Sequence, residues 1–211
     1  VSGLSHEAEL STFVDGKLID RRTGSLLWTH FGISGPVAMD ASRFWSIAKG
    51  RGQAVEMKCS FLPGQPFEKV EAKLIDTARA RPKQSIVKAL CEWFPERLSA
   101  AILGQVNVET VQSLSQLSRD DRRQIVHALT ALPLPVTRDR GWNYAEVTAG
   151  GVPLDEVDFR TMASRKTPGL FLAGEILDCD GRIGGFNFQW AWATGYLAGR
   201  GAVRDLAVTM S

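Results

Sequence analysis

The chain has 211 residues, a formal net charge of +2, 44% hydrophobic residues and 23% charged residues. Because the apolar content is ordinary and the net charge is small, this composition excludes a mainly disordered chain and a nucleic-acid binder that relies on bulk charge. No apolar run approaches the ~18 residues of a membrane span. The three cysteines are far apart, which argues against a disulfide framework and a zinc site. We therefore expect a globular, cytoplasmic protein.

Residues 1–65 are predicted to be rich in β-structure and to contain one helix. Asp15-Gly16 lies between two β-prone runs and is typical of a two-residue hairpin turn. Pro36 suits the first position of a helix that ends near Gly50. Residues 53–61 alternate between apolar and polar side chains, which predicts a half-buried strand.

Residues 66–132 are predicted to form a helical insert. Apolar side chains recur there at helical spacing, and Ser118 with Asp121 resembles the capping pattern at the start of the last helix. Residues 133–160 return to β-structure, since Trp142 and Tyr144 alternate with polar neighbours. A helical block within a β-rich segment indicates an insertion and not a tandem domain.

Residues 161–211 are predicted to form a strand, a glycine-rich loop and a helix. The run 169–174 is short and apolar, as in a strand buried on both faces of a parallel sheet. The helix is expected over 187–199. Its small residues, Ala191, Gly195 and Gly199, recur every four positions, which predicts close packing against a neighbouring element.

This last segment contains the residues most suited to ligand binding. Glu175 follows the predicted strand, where ligands bind in α/β sheets, and its carboxylate can accept hydrogen bonds from ligand hydroxyls. Gly181, Gly184 and Gly185 allow the backbone to approach a flat or anionic group. They lead into a helix whose free N–H groups favour negative charge.

Three segments, in order, resemble a known family. They are Leu27–Met39 (LWTHFGISGPVAM), Ala145–Leu154 (AEVTAGGVPL) and Thr167–Gly199, which contains GEILDCDGRIGGFNFQ. They are similar to the THFGxSGP, TAGGV and GEVLDxDGxxGGYNxQ segments of the bacterial YhiN-like NAD(P)/FAD-dependent oxidoreductases, the flavoprotein family that includes aminoacetone oxidase. Because three long motifs match in order, the resemblance covers nearly the whole chain.

The resemblance implies a fold of mixed α+β and α/β class. It comprises an inserted β-barrel-like domain with a helical subdomain, and the C-terminal strand, loop and helix of an FAD-binding Rossmann-type domain. The residues it implies for FAD binding are Thr148, Gly150, Gly151, Gly174, Glu175, Gly184, Gly185, Phe186, Asn187 and Gln189.

Each of these residues has an expected role by resemblance. Glu175 would meet the ribityl or phosphate-proximal hydroxyls of FAD, the backbone of residues 184–187 would face the flavin ring, and Gln189 would help to fix the loop. The family usually has Tyr at the position of Phe186 and often Thr at that of Ile183. Hydrogen bonds from those hydroxyls are therefore absent, whereas backbone contacts would survive.

The chain lacks the GxGxxG motif that holds the ADP half of FAD, and its first methionine is Met39. We therefore expect the C-terminal portion of a longer flavoprotein, with the N-terminal FAD-binding half as its missing partner. The chain alone should bind FAD weakly or not at all and be inactive. We further expect a small-molecule substrate, NAD(P)H as a candidate reductant, no nucleic acid and no membrane. An orphan sheet edge would favour self-association.

No catalytic residue or metal ligand can be assigned. Ser34 or Gly35 is expected to cap the helix that begins at Pro36, and Ser34 is interpreted as a cap in preference to a nucleophile. His30 is interpreted as a hydrogen-bonded structural residue in preference to one that faces the substrate. Asp178 and Asp180 do not have calcium-loop spacing, and Cys179 has no partner cysteine. The alternative function is a truncated, non-catalytic interaction module, in which the helical insert and the basic cluster at 79–83 dock a partner.

Overall fold

The computed structural model of the chain describes residues 1–209, with side chains through residue 207. The chain divides into two compact units, Val1–Arg138 and Asp139–Ser211. We call them the sheet unit and the loop unit. The four-part division expected from the sequence is finer than this and stays a prediction.

The sheet unit contains a five-stranded antiparallel sheet with the order β3-β2-β1-β4-β5. Its strands are β1 (Ser5–Val14), β2 (Lys17–Thr29), β3 (Gly32–Ser34), β4 (Val55–Ser60) and β5 (Leu132–Leu134). Strands β1 and β2 form the predicted hairpin, in which Asp15 and Gly16 have φ of 49° and 77°. The sheet curls into a half-barrel, and together with the helices it confirms the α+β class.

Helix α1 (Pro36–Gly50) covers one face of the sheet. It begins at Pro36, as predicted, and its cap is Gly35, without a side-chain hydrogen bond. Val37, Ala41 and Trp45 recur on its buried face and pack against sheet residues such as Leu10. Each buried side chain of the size of Leu10 contributes about 1.5–3 kcal/mol.

Four helices form the rest of the sheet unit: α2 (Phe67–Ala80), α3 (Ile86–Leu90), α4 (Glu96–Gln105) and α5 (Arg119–Ala131). The predicted cap of α5 is confirmed, because Ser118 Oγ accepts a hydrogen bond from the Asp121 N–H at 3.0 Å. Helix α5 continues directly into β5, and the Phe61 N–H donates to the Leu129 carbonyl at 2.8 Å. One continuous cluster of buried side chains therefore runs through the sheet and the helices.

The loop unit is built around helix α6 (Phe186–Thr209), which is longer than predicted. Its small core consists of Val157, Met162 and Leu177, with Trp190 and Leu197 of α6 packed against it. Most of the chain before α6 forms turns and single β-bridges. This unit is therefore held mainly by hydrogen-bonded loops.

Two predicted β-segments of the loop unit are wrong in detail. In 169–174 only Phe171 forms a β-bridge, with Ala163, because the described residues contain no neighbouring strand to complete a ladder. Trp142–Tyr144 is a 3₁₀ turn whose terminal rings are 81% and 60% exposed. Alternation alone cannot form a strand without a sheet partner.

The predicted small-residue stripe of α6 is packed at one point only. Ala191 Cβ lies 3.7 Å from the position that a Cβ on Gly174 would take. Gly195 and Gly199 face open space. None of the described helices is long and apolar enough to cross a membrane.

Candidate functional site

All ten residues that the sequence assigns to cofactor binding lie in the loop unit. They occupy two segments, 148–151 and 174–189. The first segment is an exposed loop, and the second contains a 3₁₀ turn, a glycine-rich loop and the start of α6. The two segments lie side by side, although more than 20 residues separate them in the sequence.

Three hydrogen bonds join these segments. The Val152 N–H donates to the Ile176 carbonyl at 2.8 Å, and the Asp178 N–H donates to the Val152 carbonyl at 2.9 Å. The Thr148 N–H donates to Glu175 Oε1 at 2.8 Å. The two segments that resemble family motifs therefore form one connected surface.

Gly151 makes the close approach of the segments possible. Its φ is +149°, and a Cβ at this position would lie 2.5 Å from the Ile176 carbonyl oxygen. Real Cβ contacts are not this short, so any side chain would push the segments apart. Its neighbour Gly150 has φ of +97° but faces open space. Gly150 therefore leaves its own backbone accessible, whereas Gly151 allows the backbones of the two segments to lie in contact.

The Glu175 carboxylate has a partner within its own chain. Oε1 is used by Thr148, whereas the described residues provide no hydrogen bond to Oε2. The side chain is solvent-exposed. Glu175 thus positions the 148–151 loop and still presents one oxygen that can accept a hydrogen bond from a ligand hydroxyl.

Gly174 is the buried anchor of the second segment. Its N–H donates to Thr194 Oγ1 at 2.9 Å, and its carbonyl accepts from Trp190 Nε1 at 3.1 Å. Thr194 is only 2% exposed. The sequence analysis missed the role of Thr194, because a threonine within a helix gives no pattern that reveals a distant backbone partner.

Asn187 closes the glycine-rich loop before α6. Its Oδ1 accepts from the Gly181 N–H at 2.6 Å, and its Nδ2 donates to the Gly181 carbonyl at 3.2 Å. The Gln189 N–H donates to the Gly185 carbonyl at 2.9 Å, so its backbone makes the first contact of the helix with the loop. The Asn187 side chain therefore holds the two ends of the glycine-rich loop together.

The glycine-rich loop exposes its backbone at Gly184 and Gly185 and the ring of Phe186. Gly184 and Gly185 have φ of +125° and +88°, and a Cβ on Gly185 would have no atom within 4 Å. Phe186 is 61% exposed. Exposed N–H groups at the start of a helix attract negative charge. This arrangement can hold a flat group that carries partial negative charge at its edge.

Cys179 lies in the same loop. Partial burial and the carboxylates of Asp180 and Asp178 raise the pKa of Cys179. A raised pKa opposes formation of the nucleophilic thiolate. The described residues contain no group of three or more His, Cys, Asp or Glu side chains that could hold a metal ion.

Two further residues from the sequence analysis lie in the sheet unit. Of the two predicted caps of α1, Gly35 is confirmed, whereas Ser34 ends β3 and makes no side-chain hydrogen bond to the start of the helix. His30 is exposed and makes an edge contact with the Phe31 ring, with centroids 4.9 Å apart. A hydrogen-bonded structural role for His30 is therefore wrong.

Comparison with known proteins identifies one family and several relatives. Residues 1–147 match the family model described as "HI0933-like protein barrel and H2TH domain". The chain is 36% identical over 174 residues to a ribosomal RNA dihydrouridine synthase of Escherichia coli, covering 82% of this chain and 40% of that protein. It is 32% identical over 203 residues to a 3-dehydro-bile acid delta(4,6)-reductase of Clostridium scindens, covering 95% of this chain and 49% of that protein.

A ribosomal RNA dihydrouridine synthase of Haemophilus influenzae is 32% identical over 173 residues, which cover 81% of this chain and 40% of that protein. The chain therefore spans less than half the length of the curated relatives that it matches. The family model covers more than half of the chain and includes the whole half-barrel sheet and its helices. The chain belongs to the HI0933-like family.

Proposed function

We propose that this chain contributes the flavin-side loop and a substrate-side domain to an FAD-dependent reductase. The substrate is a ring that contains a carbon–carbon double bond conjugated to a carbonyl group. The observation that supports this most directly is the connected surface of Thr148, Gly150, Gly185 and the Glu175 carboxylate, in a chain whose relatives have names of reductive enzymes.

The relatives' names support the type of substrate. A dihydrouridine synthase forms dihydrouridine, which differs from uridine by saturation of a double bond conjugated to a ring carbonyl. A delta(4,6)-reductase acting on a 3-oxo bile acid saturates double bonds conjugated to the ketone. The two substrates differ in size and polarity, but they share this conjugated carbonyl. We assign the shared chemistry to the present chain.

The residues of the loop unit fit FAD. Gly150 and Gly185 each leave open the space that a Cβ would fill. The backbone at 184–186 is exposed beside a helix N-terminus, which suits the pyrimidine edge of a flavin, where negative charge collects on reduction. Glu175 has one free carboxylate oxygen among the described residues for a ribityl hydroxyl. When bound, FAD would supply two-electron hydride transfer.

The chain's own residues would bind and orient this cofactor. Glu175 would hold a hydroxyl while it fixes the 148–151 loop, and Asn187 would keep the 181–185 loop closed. Gly174 would keep the second segment in place through Thr194. NAD(P)H as the reductant stays a proposal that rests on the family resemblance.

The exposed aromatic side chains on one face of α6 support the inference that a further protein segment binds there. Phe188, Trp192 and Tyr196 follow at four-residue intervals and are 68%, 69% and 64% exposed. The rings of Phe188 and Trp192 stack with their centroids 6.2 Å apart. A run of exposed aromatic side chains is typical of an interface. We infer that the FAD-binding half implied by the family resemblance covers this face.

A chimera tests the proposed function. This chain replaces the matching segment of the Clostridium scindens reductase, and the purified chimera is desalted after incubation with FAD. We expect the chimera to retain flavin absorbance, and the isolated chain to retain little. A Gly185→Val variant should lose flavin, whereas Gly16→Ala, a glycine of similar φ in the β1–β2 turn, should not.

The chimera is then supplied with a reductant and either a 3-oxo-Δ4,6 steroid or a uridine-containing rRNA fragment. Loss of the ultraviolet absorbance of the conjugated system measures reduction. Reduction of either substrate supports the proposal and shows which substrate class this chain selects. A folded chimera that retains no flavin, or one that retains flavin and reduces neither substrate, would refute it.

A further inference from the structure

An open groove with a volume of about 420 Å³ lies in the sheet unit. It lies between the start of β1 and the segments that follow β4 and α3, so it is complete within one compact unit. We call it the aromatic groove. Four aromatic side chains and two carboxylates make up most of its lining; they are His6, Phe61, Trp93, Phe94, Glu7 and Glu92.

The groove exists because β4 leaves β1 before β1 begins. The last pair between the two strands is Ser60 with Glu9. Beyond it, a turn in which the Gln65 N–H donates to the Leu62 carbonyl at 3.0 Å leads the chain away from β1. Among the described residues, positions 5–8 therefore have a strand partner on the β2 side only.

The rings of the groove hold one another in place. The His6 and Phe61 rings are stacked, with centroids 5.4 Å apart and planes at 21°. The Phe94 ring meets Phe61 edge-on at 6.1 Å, and the Trp93 ring meets Phe94 edge-on at 6.3 Å. Such contacts fix ring positions before any ligand arrives.

The His6 ring is neutral and has no nitrogen left for a ligand. Its Nε2 accepts from the Trp28 indole N–H at 2.9 Å, so Nδ1 carries the proton and donates to the Glu7 carbonyl at 2.8 Å. Burial lowers the pKa of His6. At neutral pH this wall therefore offers an aromatic ring without a positive charge.

The charged groups that line the groove are negative. Neither lysine nor arginine is among the lining residues. Glu92 forms an ion pair with Arg81, which lies outside the lining. Within the described part of the chain, the Glu7 carboxylate makes no hydrogen bond or ion pair. An unpaired carboxylate beside aromatic rings favours a positively charged ligand.

The Trp93 ring already attracts an ammonium group. The exposed Lys73, which does not line the groove, places Nζ 4.8 Å from the Trp93 ring centroid. The negative face of an indole ring is the strongest aromatic partner of a cation. Lys73 thus shows that the ring can bind a cation, and it would compete with a cationic ligand.

We propose that the aromatic groove binds the quaternary ammonium group of a small soluble molecule, with the His6 and Trp93 rings beside the methyl groups and Glu7 supplying the opposite charge. A quaternary ammonium has no N–H group that needs an acceptor, so aromatic rings can replace its water at little cost. A phosphate next to the ammonium would be repelled by the two carboxylates. The site therefore favours choline over a phosphocholine headgroup, and it is independent of the proposed function.

The test is a titration of the 211-residue chain with choline, without flavin, followed by the NMR signal of the Trp93 indole N–H. The indole of Trp142, which is 81% exposed in the loop unit, is the internal reference. The neutral probe is 3,3-dimethylbutan-1-ol, which has the shape of choline without its charge. We expect a saturable shift at Trp93, none at Trp142, and about tenfold weaker binding of the neutral probe.

Variants are compared by saturation transfer to the methyl protons of choline. Trp93→Leu should weaken binding about tenfold and Glu7→Gln about threefold. Lys73→Gln should strengthen it about threefold, because a competing ammonium is removed, and a merely structural role of the groove does not predict this gain. Glu109→Gln, at an exposed carboxylate outside the groove, is the matched control. The Trp28 indole signal reports whether each variant keeps the fold.

Phosphocholine and phosphatidylcholine vesicles separate a free cation from a lipid headgroup. We expect both to bind more weakly than choline, and tighter binding of either would overturn the proposal. A Trp93 signal that does not saturate overturns it, as does equal binding of choline and its neutral probe. Folded Glu7→Gln and Lys73→Gln variants that both bind as wild type would also contradict it. None of these measurements involves flavin, so a failure here is distinct from a failure of the chimera.

Discussion

The Glu175 carboxylate accepts a hydrogen bond from the Thr148 N–H at 2.8 Å and so joins two segments 27 residues apart. An acidic residue in a candidate cofactor site is therefore also part of the scaffold of that site. A variant that removes the carboxylate changes both roles, and the two must be measured separately.

Glu175→Ala should release the 148–151 loop, because the Thr148 N–H loses its acceptor. We expect hydrogen exchange at the Thr148 amide to become about tenfold faster, which corresponds to about 1.4 kcal/mol of local opening. Glu175→Gln keeps an acceptor oxygen and should stay near wild type. Glu146→Ala, an exposed carboxylate of the neighbouring loop, serves as the control. Unchanged protection in Glu175→Ala would show that the backbone bonds alone hold the loop.

Gly151→Ala should destabilise the loop unit more than Gly150→Ala. Both glycines have positive φ, so both substitutions introduce backbone strain of about 1–3 kcal/mol. Only at Gly151 would the new Cβ also lie 2.5 Å from the Ile176 carbonyl oxygen. The difference between the two urea midpoints, followed by the NMR signal of the Trp190 indole N–H, which donates to the Gly174 carbonyl, isolates the clash. Equal midpoints would mean that the segments can separate at little cost.

His6 should make the sheet unit less stable as the pH falls. Burial lowers the pKa of His6 below its usual value of 6.5, and the hydrogen bond to the Glu7 carbonyl opposes this only in part. The unfolded chain therefore binds more protons between the lowered pKa and 6.5, so the free energy of unfolding falls through that window as pH decreases. Above pH 6.5, His6 no longer makes the free energy of unfolding depend on pH.

Protonation would also remove the acceptor that His6 Nε2 offers to the Trp28 indole. Urea unfolding of wild type and His6→Gln across this pH range measures the effect. The difference in the free energy of unfolding between wild type and His6→Gln should be smaller at low pH than at neutral pH. A His6→Gln variant with the wild-type slope would contradict the assignment.

The three thiols should react in a fixed order. Cys91 is exposed, whereas Cys59 is fully buried in the sheet, where burial raises its pKa to about 12. In the native protein, 5,5′-dithiobis(2-nitrobenzoic acid) should modify Cys91 first and Cys179 more slowly, because the pKa of Cys179 is raised. Cys59 should react only on unfolding. Cys91→Ser should abolish the fast phase; a fast phase that persists would locate the reactive thiol elsewhere.

Local signals predicted much of the sheet unit. The Asp15-Gly16 turn, the helix start at Pro36 and the Ser118 cap depend on neighbours in sequence, and all three are confirmed. Strand formation at 169–174 depends on a ladder with other segments, so its apolar pattern was not sufficient. Apolar or small residues that recur every two or four positions define one face of a strand or helix, but they do not show which neighbouring element packs against that face.

Only part of the candidate site was predicted, because sequence patterns do not show which distant groups lie together. The glycines and Glu175 were found because their motifs resemble a family, whereas the anchor Thr194 was missed because it acts through a backbone group 20 residues away. The expectation that no nucleic acid takes part came from bulk charge. Bulk charge does not reveal recognition of a single base, so a uridine-containing RNA stays a candidate substrate.

The helical block leaves the sheet after Phe61 and returns to it through Leu129, which are joined by a hydrogen bond of 2.8 Å. Its entry and exit therefore meet at the end of β4. We expect that a helical block of different length could be placed between these two points without altering the register of the β1–β2 hairpin. The aromatic contact between Phe61 and Phe94, at 6.1 Å between centroids, sets the limit of this freedom. Any replacement block must bring a ring that fits Phe61, so a change of size at Phe94 should require a compensating change at Phe61.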